Sequence, residues 1–114
     1  MSDLHEIRDA ARAFRAERDW EKFQDPKSVM LALVGEVGEL AELMQWLPAD
    51  DAARRLCQEP LRTAVTDELA DVLVYLVTLA DKLDVDLHEA ALSKIAKSGV
   101  KHAAKRVRGR APGV

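Results

Sequence analysis

The sequence predicts an all-α fold, a four-helix bundle that is completed by oligomerisation. Four segments carry apolar residues at spacings of three and four, as amphipathic helices do. No segment alternates apolar and polar residues as a strand does, and no hairpin turn is indicated. The helix predicted over residues 60–83 is apolar around most of its circumference and needs cover on more than one side. A single bundle of 114 residues could hardly supply that cover, so we expect a homo-oligomer with this helix or the preceding one at the interface.

The first two predicted helices are bounded by clear local signals. The first spans about Asp3 to Arg18 and carries an apolar face. The second opens at Asp25-Pro26, a capping residue followed by proline at the first helical position, and runs to about Leu47. Pro48 ends it, and residues 49–59 are predicted to form a loop with at most one short helical turn.

The last two predicted helices follow closely on each other. One starts near Pro60 and runs to about Leu83. The other begins at Asp86, with Glu89 three residues on as in a capping box. It ends near Gly99 or continues toward residue 105, and the final RGRAPGV is predicted to be irregular. We therefore expect one domain over residues 1–110 and a flexible tail over 111–114.

Composition narrows the class of protein. Apolar residues make up 48% of the chain and charged residues 32%, as in soluble helical domains. The sequence shows neither a signal-peptide pattern nor an apolar run long enough for a bilayer, so a cytoplasmic protein without membrane contact is expected. The single Cys57 excludes an internal disulfide and a cysteine-based zinc site.

Charge is distributed unevenly along the chain. All 20 acidic residues precede residue 90, and the seven basic residues after it leave the first 89 residues with a charge of −10. Such a basic segment suits nucleic acid, the acidic body of the chain or an anionic small molecule. Because it has no interleaved aromatic residues, nucleic acid is the least expected partner.

Two pairs of acids sit where carboxylates are rare. Seven acid pairs occur at a spacing of three, against roughly three to four expected from composition, and most fit solvated helix faces. Glu36 and Glu39 in LVGEVGELAEL, and Glu68 and Asp71 in DELADVLVYL, lie instead on strongly apolar helices that should face each other. Four such carboxylates repel unless a cation lies between them. Oxygen ligands of this kind suit Mg²⁺ or Mn²⁺.

A di-iron centre and plain helix packing are the alternatives to a magnesium site on these helices. Di-iron bundles use Glu-x-x-His, and none of the three histidines follows a suitable glutamate there. Gly35 and Gly38 flank the acids at a cost of up to about 1 kcal/mol each relative to alanine. They indicate either close helix packing or room for a metal or phosphate.

Aromatic and basic residues share these faces. Trp46 lies seven residues after Glu39, and Tyr75 lies four after Asp71, although either aromatic suits an ordinary core. Trp20 precedes the second helix, and two tryptophans can stack on a nucleobase. A basic face suits phosphate oxygens or plain solvation, and it is formed by Lys94, Lys97 and Lys101. A cation, aromatics and lysines together indicate a nucleotide polyphosphate.

The motif Glu36-x-x-Glu39, followed after 28 residues by Glu68-x-x-Asp71, resembles that of the MazG-like superfamily of all-α nucleoside triphosphate pyrophosphohydrolases. The strings ERDWEKFQDPKSVMLALVGEVGELAELMQW and DELADVLVYLVTLADKLDVDL resemble its dCTP pyrophosphatase branch. The resemblance covers about residues 4–110. It implies a homotetramer, built as a dimer of dimers, that cleaves a nucleoside triphosphate to the monophosphate and pyrophosphate with Mg²⁺.

The resemblance also implies roles for single residues. It implies that the four acids are metal ligands, that Trp20 and Trp46 line the base pocket, and that Tyr75 and Lys94 lie near sugar and phosphates. Further substrate contacts are expected from Lys97, Ser98 and Lys101. The chain departs from the pattern at Ser98, where relatives usually have Asn, at Lys101-His102-Ala103, where they have a Lys-Tyr-Pro-like segment, and at Ala11, where the animal enzymes have His.

A catalytic hypothesis follows, with two alternatives. Glu39 would be the general base, and Lys94 would offset the charge that develops on the phosphates. The first substrate is dCTP or a modified dCTP, and the alternative is dUTP or another non-standard nucleotide. A non-catalytic helical interaction module is the second alternative, and the complete set of four acids argues against it. The number of metal ions and the role of Glu42 remain open.

Overall fold

The computed structural model describes residues 2–111, and every regular element within that range is helical. The α-helices are α1 (Asp3–Glu17), α2 (Pro26–Met44), α3 (Ala52–Leu56), α4 (Leu61–Lys82), α5 (Leu87–Lys101) and α6 (Ala104–Val107). A 3₁₀ turn, Glu21–Phe23, joins α1 to α2. The all-α prediction is confirmed. Of the predicted tail over 111–114, residues 112–114 lie outside the described residues.

Side-chain caps explain where three of the four long helices begin. The Ser2 hydroxyl accepts a hydrogen bond from the backbone N–H of His5, at 3.3 Å. The Asp25 carboxylate accepts one from Ser28 N–H at 3.0 Å, with proline at the first position of α2. Asp86 caps α5 by accepting from Glu89 N–H at 3.1 Å. Each cap satisfies a donor that the first helical turn leaves free.

One predicted helix end differs from the structure, and a second falls between the two ends that the sequence left open. α2 ends at Met44 rather than near Leu47, because the residue before a proline is driven out of the helical region and Leu47 N–H bonds to Met44 C=O in a turn. α5 continues past Gly99 to Lys101 and then breaks at His102, where the backbone leaves the helical region. A separate short helix, α6, follows.

The centre of the fold is the packing of α2 against α4. α1 packs on the same helix α4, and α3 lies against it as well. Five apolar residues are buried at these contacts: Val29, Leu33, Val65, Val77 and Ala80. The pairing of α2 with α4 holds the two acidic motifs on facing helices, as the sequence predicts.

The fourth long helix, α5, is not packed against the others to a comparable extent, so the single chain is not a closed four-helix bundle. The radius of gyration is 17.5 Å, against about 13 Å for a compact chain of this length. Large apolar side chains stay exposed on several helices, among them Leu31, Val34, Leu69, Leu73, Leu92 and Ile95. Among residues 2–111, no helix has both the length and the apolar character needed to cross a membrane.

Candidate active site

Three carboxylates from the two facing helices converge in the structure. Glu36 and Glu39 of α2 and Glu68 of α4 each offer an oxygen, and these oxygens all lie within 4.8 Å of one another. The convergence follows from sequence spacing, because residues three apart point to nearly the same side of a helix. We call these three residues the carboxylate cluster.

Two oxygens of the carboxylate cluster have lost contact with solvent. Glu36 Oε2 and Glu68 Oε2 are buried and have no hydrogen-bond partner among the described residues while both groups are ionised. A proton shared with Glu36 raises the pKa of Glu68 to about 7, and desolvation and the charge of Glu39 add to the effect. Without a counter-charge, the cluster therefore holds a proton near neutral pH.

The carboxylate cluster fits a divalent metal ion. Its donors are all carboxylate oxygens, the ligands that hard cations such as Mg²⁺ prefer. A cation would satisfy the two buried oxygens that lack hydrogen bonds and would remove the repulsion that favours a proton. Glu39 is the exposed member, so the site is open on its side of α2.

Asp71, the fourth predicted ligand, lies outside the carboxylate cluster. Its side chain is exposed on α4, where it lines a cavity of about 430 Å³ between α1 and α4. The cavity is mostly apolar, and its lining includes Ala11, Phe14, Arg15, Trp20, Gln24 and Tyr75. Asp71 therefore lies at the boundary between the carboxylate cluster and this cavity, which we call the aromatic cavity.

A second cavity of about 230 Å³ adjoins the aromatic cavity on the side of α2. It is bounded by Phe23, Ser28, Val29 and Ala32 together with three residues of the aromatic cavity, Trp20, Gln24 and Tyr75. These last three side chains form a partition between the two spaces. Trp20 and Tyr75, two of the predicted substrate contacts, thus border the same two cavities.

A buried arginine holds the aromatic cavity in shape. Arg15 of α1 is only 4% exposed. Its Nε donates to Glu21 Oε1 at 2.6 Å, its Nη1 donates to Thr78 Oγ1 at 3.2 Å, and Nη2 lies 3.6 Å from Asp81 Oδ2. Trp20 N–H in turn donates to Arg15 C=O at 3.0 Å. Sequence reasoning missed this residue, although a basic residue on the apolar side of a helix is a detectable signal.

Five predicted substrate contacts are not brought to the carboxylate cluster within one chain. Trp46 lies beyond the end of α2 and is 85% exposed. The other four lie on α5, which stands apart from the core, and line neither of the two cavities: Lys94, Lys97, Ser98 and Lys101. If these residues act at the site of one chain, another element must bring them close to its carboxylate cluster.

Gly35 and Gly38 are not explained by packing within the chain. A Cβ built at either position meets no neighbouring atom within 4 Å among the described residues. Close helix packing, one of the two predicted reasons for these glycines, is therefore not seen among residues 2–111. The other predicted reason, room for a metal or phosphate, stays a prediction.

Comparison with known proteins agrees with the fold. Over 92 residues, or 81% of the chain, it is 49% identical to dCTP pyrophosphatase 1 of Bos taurus and 50% identical to that of Homo sapiens. The matched region is 54% of each relative, so the chain spans about half the length of the curated relatives. A pyrophosphatase crystal structure from Archaeoglobus fulgidus superposes with a TM-score of 0.82 at 33% identity, covering 90% of this chain and 94% of that one. The model of the MazG-like family matches residues 32–110, and the chain belongs to that family.

Proposed function

We propose that this chain is a Mg²⁺-dependent nucleoside triphosphate pyrophosphohydrolase, acting on dCTP or a modified dCTP. It would release the nucleoside monophosphate and pyrophosphate and so remove unwanted nucleotides from the pool. The observation that carries the proposal is the carboxylate cluster, with two buried oxygens that lack partners. The relatives named dCTP pyrophosphatase 1 and the archaeal pyrophosphatase support it. The proposal includes the cytoplasmic location that the sequence predicts.

The metal would be held by Glu36, Glu39 and Glu68, with Asp71 at the edge toward the aromatic cavity. When bound, Mg²⁺ or Mn²⁺ supplies Lewis-acid stabilisation of charge on the phosphate oxygens. Because Asp71 lies between the carboxylate cluster and the aromatic cavity, its position indicates how the substrate would be oriented. The triphosphate of the substrate would lie along the carboxylates, and the base would enter the space bounded by Trp20 and Tyr75.

The protein's own part in the reaction is to position water and to accept its proton. Glu39, the exposed carboxylate of the cluster, is the proposed general base. As water oxygen bonds to the α-phosphorus, the bond from that phosphorus to the α,β-bridging oxygen breaks. The proton of the water passes to Glu39, and pyrophosphate leaves with the bridging oxygen. Trp20 and Tyr75 hold the base and sugar while this occurs.

The proposed role of the α5 lysines depends on assembly of the oligomer. Lys94, with Lys97 and Lys101 beside it, would offset phosphate charge, but α5 is not packed on the core of its own chain. A homotetramer built as a dimer of dimers would bury the exposed apolar faces and offer a route for α5 and Trp46 to reach a site. Ser98 would add one hydroxyl to that surface.

A substrate panel tests the proposal directly. Purified protein is incubated with dCTP, 5-methyl-dCTP, dUTP and dTTP in the presence of Mg²⁺, Mn²⁺ or EDTA, and pyrophosphate and monophosphate are both measured. We expect metal-dependent release from dCTP or its 5-methyl form, and a loss of about 100-fold or more in Glu39→Gln. dUTP is included because it is the alternative substrate.

Glu42→Gln is the matched control. It makes the same change on the same helix, one turn beyond Glu39 and outside the carboxylate cluster. We expect it to keep the wild-type rate. The proposal fails if no triphosphate yields pyrophosphate, or if Glu39→Gln is as active as Glu42→Gln. The non-catalytic helical module would then be the better account.

A further inference from the structure

Gln24 contributes a primary amide to both cavities beside the carboxylate cluster. Its side chain lines the aromatic cavity and also the smaller cavity next to it. Among the hydrogen bonds of residues 2–111, those of Gln24 are made by its backbone, whose N–H donates to Glu21 C=O at 3.1 Å. The side-chain oxygen and nitrogen are therefore free to pair with a ligand.

The backbone of Gln24 is fixed on both sides. Gln24 ends the 3₁₀ turn, and the next residue, Asp25, caps α2. The turn is fastened to α1 and α4, because Glu21 accepts hydrogen bonds from Arg15 and from Lys82. A side chain on such a support reaches its ligand without the entropic cost of ordering a mobile loop.

Two other polar groups of this region, the Arg15 guanidinium and the Thr78 hydroxyl, make hydrogen bonds elsewhere. The Arg15 guanidinium is directed at Glu21, Thr78 and Asp81. The Thr78 hydroxyl donates to Val74 C=O at 2.8 Å. Asp71 lies toward the carboxylate cluster, three residues after Glu68 on α4. Tyr75 lies four residues after Asp71 on the same helix. At the end bounded by Trp20, the Gln24 amide differs from the indole of Trp20 and the hydroxyl of Tyr75 because it offers a donor and an acceptor on two neighbouring atoms, as a base edge requires.

The chemistry of a primary amide matches a pyrimidine edge. Its oxygen accepts from the 4-amino group of cytosine while its NH₂ donates to N3. Turned over, the same amide donates to the 4-oxo group of uracil and accepts from N3–H. One residue thus serves either base, provided that position 4 carries a hydrogen-bonding group.

We propose that Gln24 is a specificity-determining residue that pairs with position 4 and N3 of the pyrimidine base. The inference rests on the proposed function and deepens it. It accounts for base recognition in a chain that has Ala11, with no hydrogen-bonding side chain, lining the aromatic cavity. It also makes Gln24 neutral between cytosine and uracil, so discrimination between those two bases comes from other groups.

The test combines a substrate change with a protein change. The rates kcat/KM of wild type and Gln24→Met are measured for dCTP and for the deoxynucleoside triphosphate of pyrimidin-2-one, which lacks the 4-amino group. Wild type should prefer dCTP by about tenfold, because the analogue leaves the amide oxygen unpaired. In Gln24→Met the preference should fall to within about threefold. In Gln24→Met, kcat/KM for dUTP should fall by the same factor as kcat/KM for dCTP.

Gln58→Met is the matched control, since it makes the same change at an exposed position between α3 and α4. It should keep the wild-type preference. An unchanged preference in Gln24→Met, or an equal loss on both substrates, overturns the inference. If wild type cleaves none of the triphosphates, the proposed function fails separately. The same preference is then read from dissociation constants of the two nucleotides, measured by tryptophan fluorescence, and its absence in wild type overturns the role of Gln24 as well.

Discussion

Glu42 follows Glu39 at the same spacing at which Glu39 follows Glu36, yet it does not belong to the carboxylate cluster. Three residues turn a helix through about 300°, so each step falls about 60° short of a full turn. Two steps place Glu42 about 120° from Glu36, away from α4. The same offset separates Asp71 from Glu68, and aspartate is shorter by one methylene, so Asp71 meets the aromatic cavity instead.

These residues mark what sequence could and could not predict of the site. The convergence of Glu36, Glu39 and Glu68 from two facing helices follows from helical spacing, and the sequence indicated it. The division of the four acids into three that converge and one that does not depends on a rotation of about 60° and one methylene. Arg15 and Gln24 were missed, because their roles arise from contacts between elements.

Charge repulsion in the carboxylate cluster predicts an unusual stability effect. Glu68→Gln should raise the melting temperature of the metal-free protein at pH 8 by a few degrees, because it removes one of three crowded negative charges. It should also abolish the rise in melting temperature that Mg²⁺ gives to wild type. Thermal unfolding with EDTA and with Mg²⁺ measures both effects. Glu42→Gln should change neither, and a destabilised Glu68→Gln would contradict the prediction.

At the scale of elements, local signals located helix starts better than helix ends. Asp25 and Asp86 were predicted as caps from sequence, and both accept the expected backbone hydrogen bonds. The 3₁₀ turn was not predicted, because its three residues carry no periodic pattern. It is defined by contacts to other helices, through Glu21 to Arg15 and Lys82.

Removal of Arg15 should loosen this junction. Arg15→Met leaves Thr78 and Asp81 without a buried donor, and we expect a loss of about 2 kcal/mol in the free energy of unfolding. Arg54→Met, which breaks an exposed pair with Asp51, should cost well under about 1 kcal/mol. Urea unfolding compares the two. Equal effects would mean that the Arg15 network is not a structural tie.

The same junction should make stability depend on pH on the acid side. A hydrogen bond from Arg12 lowers the pKa of Asp81 below its usual 3.8, and one from Lys82 lowers that of Glu21 below 4.5. Their stabilising contribution is therefore present above these usual values and is lost as pH falls through the lower, native ones. Urea unfolding between pH 2 and pH 6 should show this decline. Arg12→Gln should flatten it, and an unchanged slope would contradict the assignment.

For the whole molecule, the exposed apolar surface is the main structural fact. α2 exposes Leu31 and Val34, α4 exposes Leu69 and Leu73, and α5 exposes Ile95, which is 68% exposed. The sequence predicted that α4, the third of the four predicted helices, would need cover from a second chain, since one chain cannot cover a helix that is apolar around most of its circumference. The elongated single chain leaves that surface open.

We predict that the proposed tetramer covers this surface and that activity depends on its assembly. Light scattering should give four times the 12.6 kDa mass of the chain. Leu73→Glu, which puts a charge on the exposed apolar stripe of α4, should lower that mass, because burying an unpaired carboxylate at an interface costs several kcal/mol. Ala53→Glu adds the same charge at an exposed position of the short helix α3 and should leave the tetramer intact.

Activity then shows whether one chain is sufficient. Trp46 and the lysines of α5 do not reach the carboxylate cluster within a chain, so a neighbouring copy must bring them if they bind substrate. The dissociated Leu73→Glu protein should therefore lose pyrophosphate release while circular dichroism still reports its helices. Because Gln24, Trp20 and the three glutamates stay within one chain, it should keep weak nucleotide binding, measurable by tryptophan fluorescence. A dissociated protein with full activity would show that α5 and Trp46 take no part in the reaction.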